Sequence, residues 1–265
     1  MGGRGVSGWR VVAARRTGES HLRRGERGQD AFRAVAAGSD GATLVAAVSD
    51  GAGSAPRGGA GAALACRAAT EAARTALARR PVAAVDDAEI EGWAETAARA
   101  ARAAADGAGR PPRDLAATLV LAAADASGVV AVHVGDGAAA ARGPQGDWFA
   151  LSWPEGGDHA GETRFVTDDA LAARVARAEG PATALALLTD GIERLVLDFA
   201  AGAPHAPFFE RMLGPVANLA RPGRDAALSR ALGAYLGGEG VAARTDDDRT
   251  LLIAAPMATR LEAAA

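Results

Sequence analysis

Lysine is absent from this chain, cysteine and tyrosine each occur once, and aromatic residues make up only 4%. With no lysine, all 29 basic residues are arginine. Together with the abundance of alanine, that points to a bias of base composition and not to chemistry. The single cysteine, Cys66, lies in an Ala-rich stretch of helical character. It excludes a disulfide framework within the chain, fits a reducing compartment and reads as packing. No apolar run approaches the length of a membrane span. The opening MGGRGVSGWR has no apolar signal core, and Val6 breaks the myristoylation pattern after Gly2. A net charge of -3 with a pI near 5.9 leaves no basic footprint for nucleic acid. The expectation is a cytoplasmic protein with neither nucleic-acid nor membrane partners. Its 265 residues, 49% hydrophobic and 23% charged, suffice for one globular domain over 1–265.

What is present is a spelling that recurs. Leu44 to Gly53 reads LVAAVSDGAG, an apolar run of strand length that stops at Asp50 and passes into glycines. Val129 to Gly137 (VVAVHVGDG) and Leu185 to Gly191 (LALLTDG) repeat it, ending in Asp136-Gly137 and Asp190-Gly191. A carboxylate at a strand end, followed by glycines that let a ligand approach the backbone, suits a metal ligand. Asp-Gly suits a hairpin equally well. Asp40, in GSDGA between two strand-like runs, is assigned that hairpin role. Two further acidic points are Asp30 in GQDAF and the triplet Asp246, Asp247, Asp248 that enters the apolar run of TDDDRTLLIA. Three successive carboxylates repel one another unless solvated or neutralised by a cation.

The periodicity predicts strands over 9–14, 31–37 and 44–48, then helices over 58–80 and 86–106, the second capped by Asp86 or Asp87. A meander follows at 117–124, 129–134, 138–141 and 148–151. Residues 17–27 form a polar loop with His21, Arg23, Arg24 and Arg27, either an exposed turn or an anion-receiving edge near Asp30. The irregular stretch 152–169, which contains His159, is a long loop. A strand ending at Asp190, helical segments at 192–199, 207–219 and 224–236, a strand at 251–254 and a frayed tail complete the chain. Strands and helices come in runs and do not alternate, so the class is α+β with mainly antiparallel sheets.

If Asp30, Asp50, Asp190 and Asp247 converge, four carboxylates in one cleft must protonate or recruit cations. Two divalent ions balance the charge. Oxygen ligands without a His or Cys cluster favour Mg2+ or Mn2+ over Zn2+. Ions spaced about 3.5–4 Å apart can hold a bridging water and aim it at phosphorus.

The order of SHLRRGERGQDAF, VAAVSDGAGSA, AATLVLAA, HVGDGAAAAR, LALLTDGIERL and TDDDRTLLIA resembles the bacterial branch of the type 2C metal-dependent protein serine/threonine phosphatases, over residues 17–254. The resemblance implies a four-layer α-β-β-α sandwich, with two mainly antiparallel sheets flanked by helices and a two-metal centre at one end. It implies hydrolysis of phosphoserine or phosphothreonine by a metal-bridged water, with no phosphoenzyme intermediate, on a phosphoprotein that a Ser/Thr kinase has modified. Asp50 would bridge both ions, Gly51 would offer its carbonyl, Asp190 and Asp247 would complete the first site, and Asp30 would serve the second. Asp247 is chosen because Asp247 to Thr250 matches the family's Asp-Asn-x-Thr, with Asp246 as the fallback. Asp136 matches a mostly structural element, and Asp114 lies near where some members bind a third ion. The departures are specific. A neutral Gln29 replaces a Glu, Ala52 replaces the histidine that follows Asp-Gly, and the phosphate-binding arginine falls at Gly25, leaving Arg24 or Arg27 as substitutes. His21 is the candidate acid, or a locally paired loop histidine. These losses keep two further readings open, a pseudophosphatase that binds phosphoproteins and a hydrolase of small phosphoesters.

Overall fold

The computed structural model describes residues 8–154 and 163–257. One sheet runs in the order β2-β3-β4-β5-β8, from β2 (Ala31–Ala37), β3 (Thr43–Ser49), β4 (Leu119–Asp125), β5 (Gly128–Val134) and β8 (Arg174–Glu179). The other runs β12-β1-β13-β9-β6-β7, from β1 (Trp9–Arg16), β6 (Ala138–Arg142), β7 (Trp148–Ser152), β9 (Ala184–Leu188), β12 (Gly223–Arg224) and β13 (Arg249–Pro256). Every pairing in the two sheets is antiparallel except β1 with β12.

Period-two alternation divides the strands between three apolar layers. In β3, Leu44, Ala46 and Val48 face the second sheet, against Val11, Ala13, Leu185, Leu187 and Leu252. Val45 and Ala47 face outward, under α2 (Gly58–Ala76) and α3 (Asp87–Gly107). On the other flank Val12, Leu251 and Ile253 lie under α5 (Ala206–Ala217) and α6 (Ala226–Leu236). The result is the expected four-layer α-β-β-α arrangement. Alanine does much of the packing: Ala62, Ala65, Ala69 and Ala73 of α2 and Ala94, Ala97 and Ala101 of α3 are buried in one layer. Small side chains with the highest helix propensity let these helices sit close to each other and to the sheet.

Several elements differ from expectation for local reasons. The polar loop at 17–27 contains a short helix, α1 (Glu19–Arg23). The helix expected at 192–199 is cut to α4 (Glu193–Val196), because the chain then enters a two-residue ribbon, β10 (Leu197–Asp198) with β11 (Ala203–Pro204). β8 was not anticipated: its sequence, RVARAE, is that of a half-exposed edge strand with little apolar signal. A last short helix, α7 (Glu239–Ala242), precedes β13. Asp40 sits at the β2–β3 hairpin tip, its Oδ1 accepting the Ala42 N–H at 3.0 Å. His159 lies outside the described residues. No helix among the described residues is long and apolar enough to cross a membrane.

Asp86 is the N-cap of α3, its carboxylate accepting the Glu89 N–H at 2.9 Å. Asp86→Ala should cost about 1 kcal/mol in urea-induced unfolding, with an unchanged m-value.

Candidate functional site

Register brings the acids together. Ala31 pairs with Ser49, so Asp30 and Asp50 are the next positions along the β2–β3 ladder. Leu188 pairs with both Leu251 and Ala138, which carries Asp190, the 246–248 triplet and the Asp136 turn to the same end of the second sheet. Thr118, just before β4, donates its N–H to the Asp50 carbonyl at 2.8 Å and accepts the Asp50 N–H on Oγ1 at 3.0 Å.

Asp30 is only 1% exposed, and its Oδ2 accepts the hydroxyls of Thr189 (2.8 Å) and Thr250 (2.6 Å). Thr250 N–H in turn donates to Thr189 Oγ1 at 3.0 Å. Asp30 Oδ1 is buried with no donor in the described structure, and the neighbouring group that bears on it is the Asp50 carboxyl. Burial is the largest influence on all three central acids, pushing the Asp30 and Asp50 carboxyls up from their usual range. Asp50 is pushed further by the charges of Asp30, Asp190 and Asp247. Burial, then the charges of Asp136 and Asp247, raise Asp190 to about 8. Among the described residues no three acidic, His or Cys side chains form a ready-made ion cage. The Asp30 and Asp50 carboxyls are in hydrogen-bond contact, and Asp190 and Asp247 act on Asp50 through their charges.

The triplet resolves into three environments. Asp246 is exposed and pairs with Arg23 at 2.8 Å. Asp247 is partly buried and acts on Asp50 and Asp190. Asp248 is buried, accepting the N–H groups of Gly18 (2.6 Å) and Gln29 and lying 3.1 Å from His21 Nδ1. His21 is therefore a buried brace of that loop. Arg24 and Arg27 are exposed, Arg24 paired with Glu26 at 2.7 Å. Asp114 pairs with Arg110 at 3.2 Å in the turn before β4.

Gly51 carries the turn after Asp50 against the start of α2: an added Cβ would stand 2.2 Å from the Gly58 carbonyl carbon. The Gln29 side-chain amide lies against this turn, and with its NH2 group assigned to face it, the amide donates to the carbonyls of Gly51 and Ala52, each at 3.1 Å. Gly191 is equally constrained, since a Cβ there would lie 1.8 Å from the Asp248 carbonyl oxygen.

The sequence marks Asp136 as a structural element and Thr250 only as the end of the Asp247–Thr250 match, and it gives Thr118 and Thr189 no site role. The Asp-Gly spelling, shared with the strand ends at Asp50 and Asp190, is the available signal for Asp136. Its turn is braced by His133, whose Nε2 lies 3.0 Å from the Asp136 carbonyl. Burial pushes His133 down to about 3, so it is neutral. Nothing in the local sequence gives the threonines their part in holding Asp30, which depends on the two sheets meeting.

A two-sheet sandwich carrying a cluster of strand-end carboxylates at one end is the class these features define. The family model described as Protein phosphatase 2C matches residues 17–233, and the chain belongs to that family. It is 33% identical over 144 residues to serine/threonine-protein phosphatase 3 of Escherichia coli (strain K12), a match covering 54% of this chain and 56% of that protein. The chain thus spans little more than half the length of that relative. In solved structures, its fold is similar to that of a serine/threonine phosphatase from Staphylococcus aureus (TM-score 0.60, 15% identity, 96% of this chain and 99% of that one). It is also similar to the catalytic domain of the phosphatase PstP, solved with two manganese ions (TM-score 0.60, 16% identity, 95% and 99%).

A carboxyl whose pKa is raised by folding keeps a proton that the unfolded chain has already lost, so it stabilises below the unfolded pKa and this contribution is lost as pH rises. For Asp190 the loss runs from about pH 4 to about pH 8. Cation-free protein should therefore melt at progressively lower temperature between pH 5 and pH 8. Asp190→Asn, which removes the carboxyl that must lose its proton over this range, should raise that melting temperature at pH 8 by about 2–4 °C per kcal/mol gained. Differential scanning calorimetry in EDTA reads both effects.

Proposed function

We propose that this chain is a divalent-cation-dependent protein serine/threonine phosphatase, one phosphatase domain over 1–265. It would act in the cytoplasm, in signalling, on phosphoserine or phosphothreonine placed by a Ser/Thr kinase. The observation that carries this reading is the gathering of Asp30, Asp50, Asp190 and Asp247 from both sheets, with no side-chain cation among the causes that act on Asp30, Asp50 and Asp190.

The donor set fits hard divalent cations, either Mg2+ or Mn2+. All the candidate donors are oxygens, Asp30 Oδ1 is buried without a donor, and the raised carboxyls are those of acids lacking their counter-charge. Asp50, Asp190 and Asp247 would hold one ion, Asp50 with Asp30 a second, and the Gly51 carbonyl would serve one of the two; a third, near Asp114, has weaker support because Asp114 already pairs with Arg110. Bound there, such ions supply positive charge beside the phosphate and activate water for attack on phosphorus. The chain's own part is positioning. Thr189 and Thr250 fix Asp30 Oδ2 and so aim Oδ1 at Asp50. Thr118 fixes the Asp50 backbone, and the Gln29 amide fixes the turn that presents the Gly51 carbonyl. We assign His21 a positioning role through Asp248 in preference to that of proton donor. Arg24 and Arg27 would meet the substrate's phosphate from the exposed loop.

A second reading, the pseudophosphatase, is favoured by one feature: Gln29 brings a neutral amide, and no charge, to the turn beside Asp50. Turnover separates the two. With Mn2+, p-nitrophenyl phosphate and a phosphothreonine peptide should both be hydrolysed. Asp50→Asn should lose activity by about a hundredfold or more, while Asp40→Asn keeps it. Saturable Mn2+ binding without turnover would establish the pseudophosphatase. His21→Ala should slow both substrates by the same factor, as loss of a brace does; a selective loss on the peptide would restore His21 as the acid.

A further inference from the structure

The open edge of the sandwich, between β1 and β12 of one sheet and β2 of the other, holds a cleft of about 570 Å³. Arg15, Arg224 and Arg230 line it with Phe32, Ser229 and Gly233, and no acidic residue lines it among the described residues. In a chain of net charge -3 this is a local reversal of sign.

Each arginine is placed by the fold. Arg15, near the end of β1, donates from Nη1 to the Asp30 carbonyl, so the cleft begins beside the acid cluster. Arg224, on β12, donates from Nη2 to the Ala13 carbonyl at 3.0 Å and lies over the Phe32 ring, 5.1 Å from its centroid. Arg230 is exposed on α6, on the helical face that also presents Ala226, Ser229 and Gly233 at i, i+3, i+4 and i+7 spacing. Two of the three guanidiniums are thus tethered through one nitrogen, with other N–H donors still available. That arrangement suits planar, bidentate recognition of carboxylates at a reduced entropic cost. Beyond Phe32 and Arg224 the cleft continues along the edge of β2 as an apolar recess of about 270 Å³ beside Trp9 and Leu44.

We propose that this cleft is a docking site for an acidic segment of the phosphoprotein substrate, removed in sequence from the phosphorylated residue. The inference rests on the phosphatase reading above and deepens it. A rim of carboxylates attracts no acidic protein, whereas an arginine cleft beside it supplies both the attraction and the direction of approach.

The test uses the whole chain and Arg230→Glu, a surface change outside the acid cluster. Arg99→Glu is the control, with the same charge change on exposed α3 in the opposite layer. Fluorescence anisotropy, without divalent cation, follows binding of a non-phosphorylated acidic peptide and of the same peptide with its carboxylates replaced by amides. Kinetics with Mn2+ follow p-nitrophenyl phosphate and the phosphorylated acidic peptide. Arg230→Glu should weaken acidic-peptide binding and raise the phosphopeptide KM by about tenfold each, while p-nitrophenyl phosphate turnover and the Arg99→Glu control stay at wild-type values. Equal binding of both peptides, or equal weakening by the two substitutions, would overturn the site even if hydrolysis is vigorous. Binding that depends on Arg230 in a protein with no turnover would overturn its assignment to substrate, and would count against the phosphatase reading and not against the cleft.

Discussion

The feature on which the site depends is a carboxylate of one sheet held by two hydroxyls of the other. Asp30 precedes β2, Thr189 follows β9, and Thr250 is the second residue of β13. Both hydroxyls reach the same Asp30 oxygen. Each such bond to a charged group is worth roughly 1.5–3 kcal/mol when buried. Their joint effect is to fix which oxygen remains, and therefore which way the acid looks. The cluster cannot assemble on either sheet alone, so its geometry is a readout of how the sheets dock.

That docking is made possible by thin layers. Alanine makes up nearly half of the buried residues in the sandwich interior and in the α2–α3 layer, so at many points only a methyl group separates the backbones. The close approaches at Gly51 and Gly191 are the same economy carried to the loops, where a single methyl group would collide with the neighbouring backbone. Against this dense scaffold stands an end with raised carboxyls. The scaffold holds them in proximity that they would not adopt by themselves.

Much of this was legible in the sequence. The class followed from runs of elements and from Asp-Gly at strand ends, and Asp30, Asp50 and Asp190 were marked by position. The unread parts have physical causes. β8 is an edge strand with charged positions, so alternation was weak there. The threonines gain meaning only through contacts more than 60 residues distant, between Thr250 and Thr189 or Asp30. The role of His21 depends on Asp248, more than 200 residues away. Asp136 was read as a turn residue, which it is, yet it also acts on Asp190; sequence separates those two roles poorly.

The triplet at 246–248 carries a further consequence. Three identical residues in succession face solvent, the acid cluster and a buried loop, because β13 pairs with β1 over its full length and fixes the rotation of the chain entering it. A slip of one residue would leave the composition unchanged and yet hand each carboxylate its neighbour's surroundings. Chemical identity and functional identity are thus separate properties here, and what distinguishes the three aspartates is position in the bend that leads into β13. An insertion or deletion just before Arg249 would be a more drastic change than the loss of any one of them.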